Sequence, residues 1–273
     1  MHLGPVGTNV KINHLAITTE SYTRAAKFYQ LVFGMTSSPD WESLSAIAVT
    51  DGYVGLNFNS RSASRSARLD HFGMEIDDVE GALHAIGAKY PQVRWLQRPD
   101  SRPFAGITTH DPDGQCFDLS KSDRAGVYAE KPPLHPRYVN HFGLRSLHHR
   151  ETAEFYGELF GLTERSKEAG DPNVYLTDGH ITMVIMPWQI TDYFGTAIQA
   201  QCVDHLGFTV ESLEKFRADV KRVAEKNPQF APYPLGAAPE SKVRLELAQR
   251  SCPLCENLMA DPEAILLSIS PTR

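Results

Sequence analysis

The sequence predicts an α+β protein made of two tandem copies of one small unit. Three observations predict it: a self-match at a fixed offset, strand-like and helix-like apolar periods within a copy, and a proline-bearing stretch between copies. Asn13-His14-Leu15, Phe28-Tyr29 and Phe33-Gly34 return as Asn140-His141-Phe142, Phe155-Tyr156 and Phe160-Gly161, each displaced by 127 positions. Asp51-Gly52 returns as Asp178-Gly179 at the same spacing. Asp70-His71-Phe72-Gly73 matches Asp204-His205-Leu206-Gly207 at 134, and Asp111-Pro112 matches Asp261-Pro262 at 150, so the order holds while the second copy gains insertions.

In the first copy, residues 10–18 read as a strand. Residues 21–33 place Tyr22, Ala25, Ala26, Phe28, Tyr29 and Val32 on one helical stripe, which Gly34 ends. Residues 45–50 and 53–58 flank Asp51-Gly52, a pair expected to form a two-residue type I′ hairpin. Residues 69–76 read as a strand, 79–88 as a helix and 93–96 as a strand. Asp111-Pro112-Asp113-Gly114 is a turn that launches a closing strand over 115–120. Each copy is thus a doubled βαβββ-like unit. Residues 1–120 form the expected first module, 121–137 a linker with Pro132, Pro133 and Pro136, and 138–273 the second module. A further irregular stretch, 227–239, carries Pro228, Pro232, Pro234 and Pro239 and is expected to be a loop over a cavity.

Composition narrows the partners. With 273 residues, 41% hydrophobic and 22% charged, the chain can bury one large core or two modest ones. A net charge of −6 excludes the concentrated positive field that nucleic acid or an anionic membrane requires, and leaves small molecules. The first residues lack a signal-like apolar stretch, and no apolar run reaches the length of a membrane span, so a cytoplasmic address with reduced thiols at Cys116, Cys202, Cys252 and Cys255 is expected.

Side chains alternate along a strand, so His14 is expected to share a face with Ile12 and Ala16, His71 with Leu69 and Gly73, and Asp118 with Cys116 and Ser120. If the sheet curls around those faces, two imidazoles and one carboxylate converge. That is the 2-His-1-carboxylate set, which fills one face of an octahedral divalent metal and leaves the other positions open. A lone strand histidine is ordinarily a satisfied core residue. Recurrence of both histidines as His141 and His205 favours the ligand reading. His110 and His180, at or beside turns, and Glu75, on the face of His71, are the acid–base candidates. Asn57 is a further candidate contact. Cys252-Pro253-Leu254-Cys255 is a single CxxC with no partner pair at zinc-site spacing, and a loop or packing role is expected for it. His84 and His148-His149 read as solvated.

The Asn13-His14 opening strand, the helix ending in Phe28-Tyr29 with Phe33-Gly34-Met35, the strand Asp70 to Glu75, and Asp111-Pro112-Asp113-Gly114 before Asp118 together resemble the vicinal oxygen chelate superfamily. Glyoxalases, extradiol ring-cleaving dioxygenases and antibiotic-resistance proteins belong to it. The resemblance spans nearly the whole chain. It implies curved mixed sheets around a cavity, with metal ligands on the first strand, the strand opening the second half-module and the last strand. Those places hold His14, His71 and Asp118, with Asp where Glu is usual. The second copy holds His141, His205 and Ser268, so its site is expected to be degenerate and metal-free. The resemblance implies a mononuclear non-haem Fe(II) enzyme of the extradiol type acting on a small substrate with vicinal oxygens. Two-module extradiol enzymes usually keep iron in the second copy, an arrangement reversed here, and their acid–base Tyr falls on Thr108. The alternatives are an isomerase, lyase or hydrolase that uses Zn, Mn, Ni or Co to stabilise an enediolate, and a non-catalytic binding protein. A homodimer is left open.

Overall fold

The protein is described by a computed structural model over residues 9–37, 45–99, 105–121 and 135–272. Most of the expected linker, with Pro132 and Pro133, lies outside the described residues. The first half runs β1 (Val10–Thr19), α1 (Tyr22–Phe33), β2 (Ala46–Thr50), β3 (Gly55–Ser60), β4 (Arg68–Ile76), α2 (Val79–Lys89), β5 (Trp95–Gln97), β6 (Ile107–His110) and β7 (Cys116–Lys121). The second runs β8 (Tyr138–Ser146), α3 (His149–Phe160), β9 (Thr163–Glu164), β10 (Val174–Thr177), β11 (Thr182–Pro187), α4 (Ile190–Tyr193), β12 (Cys202–Val210), α5 (Leu213–Lys226), α6 (Pro239–Ser251), β13 (Leu258–Ala260) and β14 (Leu266–Pro271).

The halves form two mixed seven-stranded sheets of the α+β class, ordered β2-β3-β1-β4-β7-β6-β5 and β13-β14-β12-β8-β11-β10-β9. At the centre of each lies an antiparallel pair, β1 with β4 and β8 with β12, and each central strand has a parallel partner on its outer side. Gly34 and Gly161 end α1 and α3 in the left-handed conformation, at φ 72° and 73°. No helix among the described residues is long and apolar enough to cross a membrane.

One expectation is corrected. The Asp51-Gly52 turn is not a two-residue hairpin: β2 ends at Thr50, β3 begins at Gly55, and only Gly52 of the expected pair has positive φ. Asp51 Oδ1 instead accepts from the Tyr53 and Val54 backbone amides and closes a four-residue loop. The stretch 227–239 is irregular apart from a 3-10 turn at Pro228–Phe230, and its last residue, Pro239, occupies the first turn of α6, whose run of good helix formers continues to Ser251.

The repeated residues are those that reach between the halves. Asp51 Oδ2 accepts from the Val139 amide at 2.9 Å, and Asp178 Oδ2 from the Ile12 amide at 2.7 Å, so each turn aspartate holds the first strand of the other half. Tyr29 donates to Asp261 and Tyr156 to Asp111, both at 3.1 Å. Phe33 stacks on Phe208 with centroids 4.0 Å apart, and Phe72 meets Phe142 at 5.1 Å. One hydrophobic core therefore runs through both halves.

Phe33→Ala removes a fully buried ring from this shared core, and urea unfolding should show a loss of about 3–5 kcal/mol. Burial pushes the Asp261 carboxyl up to about 7, outweighing the Ile265, Glu263 and Tyr29 donors that favour the ionised form. Its protonated form therefore contributes stability that is complete below about pH 4 and lost as pH climbs through about 7. The stability of the wild type relative to Asp261→Asn should fall across that interval by a few kcal/mol, and a constant difference would contradict the raised value.

Candidate metal centre

His14 on β1, His71 on β4 and Asp118 on β7 stand on three adjacent strands. Register explains why they meet. His14 lies opposite Gly73, Gly73 lies beside Asp118, and His71 lies opposite Ala16. A Cβ at Gly73 would sit 2.0 Å from His14 Cε1, so only glycine there leaves room for the ring.

The strands are not regular at this point, and the irregularity alters the expected faces. Pairing skips Asn13 between Ile12 and His14, and skips Asp70 between Leu69 and His71. Ile12 and Leu69 thereby turn into the core with Leu15 and Phe72, rather than sharing the face of His14 and His71. The skipped residues put their side chains beside the next imidazole. Asn13 Oδ1 meets His14 Nδ1 at 2.7 Å, and Asp70 Oδ2 meets His71 Nδ1 at 2.8 Å. In a flat strand consecutive side chains point to opposite faces, which would forbid both bonds. With Nδ1 protonated and held, each Nε2 offers its lone pair to the centre.

His71 Nε2 is 3.2 Å and His14 Nε2 3.7 Å from Asp118 Oδ2, with the rings edge to face. The three ligand-type atoms lie within 4.8 Å of one another, a spacing that can hold a metal ion. Thr108, facing Asp118 from β6, donates to its other oxygen, Oδ1, and accepts from Arg98 Nε at 2.7 Å. Burial drags the His14 imidazole below its usual value, against the pull of Asp118. For Asp118, burial acts upward, but the neighbouring His14 and His71 imidazoles hold it well below the carboxylate range. For His71, burial acts downward, but hydrogen bonds to Asp118 and Asp70 win and raise it to about 9. The cage is thus anionic and calls for a positive charge, from a proton on His71 or from a cation.

The other expected residues lie outside this group. His110 is held at both ring nitrogens, Nδ1 at 2.8 Å from the Asp111 carbonyl and Nε2 accepting from the Arg94 amide at 3.0 Å, so it braces the turn. His180 is exposed on the 178–181 turn, with its ring tilted against Tyr53 at a centroid distance of 4.3 Å. Glu75 shares the face of Gly73 and His71 but lies opposite Lys11 and beside Ser120. Asn57 sits on β3 opposite Ala16. Sequence reasoning did not single out Asn13, Asp70, Thr108 or Arg98 as supports. The available signal was the Asn-His and Asp-His pairs, repeated at Asn140-His141 and Asp204-His205. In the second half a further group forms from His141, His205 and Cys252, where no cluster was expected.

Residues 11–119 match the model of the Glyoxalase/Bleomycin resistance protein/Dioxygenase superfamily. That match lies within the first half of the chain. No curated protein matches its sequence. Among solved structures it is similar to the Mn(II)-bound glyoxalase from Novosphingobium aromaticivorans, at 15% identity and TM-score 0.66, covering 97% of this chain and 83% of that one. A catechol 2,3-dioxygenase is similar at 14% identity and TM-score 0.60, covering 98% of this chain and 89% of that one. The 2,3-dioxygenase LapB from Pseudomonas sp. KL28 is similar at 12% identity and TM-score 0.57, covering 100% of this chain and 94% of that one. At such identities the likeness is one of fold. The superfamily's glyoxalases and dioxygenases are metal-dependent enzymes acting on small molecules.

Asp70→Asn keeps the bulge and the side-chain shape while weakening the acceptor at His71 Nδ1. Titration with a divalent metal should show affinity reduced about 10- to 100-fold with unchanged circular dichroism.

Proposed function

We propose that the module expected over residues 1–120 binds one divalent metal through His14 Nε2, His71 Nε2 and Asp118 Oδ2. In this reading the protein is a mononuclear Fe(II) dioxygenase of the extradiol type, acting on a small substrate with vicinal oxygens. The observation that carries the proposal is the convergence of two Nδ1-anchored imidazoles and one carboxylate oxygen within 4.8 Å. The donor set fits: one carboxylate and two neutral imidazoles suit Fe(II), and three ligands on one side leave adjacent positions for substrate oxygens and O2. Such a metal, when bound, supplies Lewis acidity for substrate oxygens and a site for O2.

The chain's own residues supply orientation. Asn13 and Asp70 fix the two ring planes, and Thr108, itself held by Arg98, fixes the carboxylate by occupying Oδ1 and leaving Oδ2 toward the histidines. The fully buried position of His14 and the near-burial of Asp118 keep water from competing on the sheet side. Protein loaded with Fe(II) under anaerobic conditions should consume O2 with a catechol-like substrate, and Asp118→Ala should lower turnover by about 10³-fold or more while losing the metal. Turnover that proceeds without oxygen would sink the dioxygenase reading.

A second reading has its own support. The Thr108 hydroxyl is committed to Asp118, so the place of the dioxygenase acid–base tyrosine is not free to serve substrate. The similar structure with the higher TM-score of those described above is a Mn(II)-bound glyoxalase. A metal-dependent isomerase, lyase or hydrolase working through an enediolate accommodates both facts. Solvent deuterium appearing at carbon in product, with no oxygen consumed, would select it.

A further inference from the structure

We infer that the second half holds a separate, closed zinc site built from His141 Nε2, His205 Nε2, Cys252 Sγ and Cys255 Sγ. The inference does not rest on the catalytic reading. His141 on β8 and His205 on β12 stand where His14 and His71 stand in the first sheet, opposite Gly207 and Gly143. A Cβ at either glycine would meet a ring atom at 1.9 Å or 2.4 Å, so the sheet is shaped to admit both imidazoles. Here too the pairing skips the preceding residue, and Asn140 and Asp204 hold the Nδ1 atoms at 2.5 Å and 2.9 Å. Both Nε2 atoms are left pointing inward.

The carboxylate position of the first sheet is occupied by Ser268, and the missing donors come from elsewhere. The α6 helix lies over the histidine face of this sheet, packing Ala248 and Leu245 with Val184 and Met186, and it delivers Cys252 and Cys255 to the centre. Cys255 Sγ is 3.4 Å and Cys252 Sγ 3.8 Å from His205 Nε2. A tetrahedral zinc with ordinary bond lengths sets nitrogen and sulfur about 3.5 Å apart. The donor atoms of His141, His205 and Cys252 lie within 4.8 Å of one another, and both cysteines are buried and outside any disulfide.

The independent pointer is His141 Nε2, a fully buried nitrogen that has no hydrogen-bond partner, on a side chain only 2% exposed. A buried polar atom left without a partner costs stability, and a ligand role removes that cost. The surroundings also serve the loop. Ser268 Oγ donates to the Leu254 carbonyl at 2.7 Å, so the residue that replaced the carboxylate clamps the Cys-Pro-Leu-Cys turn. Arg244 on α6 and Arg145 on β8 both bind Asp204 Oδ1, which ties the helix to the anchor of His205.

Charge and hardness select the ion. Two thiolates and two neutral imidazoles bring a divalent cation to zero net charge, which suits a site without solvent, and soft sulfur favours zinc over the harder ions that a carboxylate site accepts. Four protein ligands leave no open position, so this is a structural clamp that fastens α6 onto the sheet and not a second catalytic centre.

The wild-type chain, purified under reducing conditions, should carry about one equivalent of zinc that Asp118→Ala retains and that Cys252→Ser with Cys255→Ser loses. Failure of the first metal site would leave this zinc in place, so the two proposals fail separately. Should the cysteine variant not fold, the wild type itself decides. Replacing zinc by Co(II) should give a thiolate-to-cobalt charge-transfer band in the near ultraviolet together with tetrahedral d–d absorption. Removing the metal with a chelator should lower Tm and expose α6 to proteolysis. Reduced wild-type protein that takes up no zinc beyond the first site, or a Co(II) form without a thiolate band, would overturn the inference.

Discussion

The structure depends on one local irregularity, a β-bulge placed one residue before each of four histidines. Pairing skips Asn13, Asp70, Asn140 and Asp204 in the two central strand pairs. Each bulge does two things at once. It returns the flanking apolar residues to the core, as with Ile12 and Leu15, and it brings an acceptor side chain onto the same side as the neighbouring imidazole. A regular strand would offer either an anchored ring or a continuous apolar face, and the bulge supplies both. Glycine across the strand completes the arrangement at Gly73, Gly143 and Gly207 by leaving the volume that a ring needs.

The same logic gives each half a reason to need the other. The aspartates that shape the loops after β2 and β10 use their second oxygen to cap the opposite half's first strand, and the two tyrosines of Phe-Tyr pairs cross over to the two Asp-Pro turns. Neither half would satisfy these buried groups alone. The aromatic rings between the sheets make the contact hydrophobic as well as directional, so the sheets that carry the two histidine pairs are fixed relative to one another.

The two halves differ in what stands beside their paired histidines. The first sheet has a carboxylate on β7, the strand beside its central pair, supported by Thr108 from the next strand. The second sheet has Ser268 in the corresponding place, and α6, followed by two cysteines, lies over the same face. A carboxylate stands beside the two histidines in one half, and a thiol beside the two in the other. The contrast follows from one residue on β14 and one inserted helix.

Much of this was legible in the chain. The 127-residue offset reveals the duplication, the periodicity of residues 21–33 gives the helix, and the residue types at His14, His71 and Asp118 mark the candidate ligands. These features are local or recur in the same order, so the linear order carries them. What needed the tertiary structure was every relation that pairing creates. Alternation places Ile12 beside His14, and only strand register reveals the bulge that separates them. Likewise nothing in the spacing joins Cys252 to His205, 47 positions away, because α6 must first lie down on the sheet to bring sulfur within 3.8 Å of that ring. Sequence determined which groups were available and that they came in two sets, and packing decided which of them share a centre.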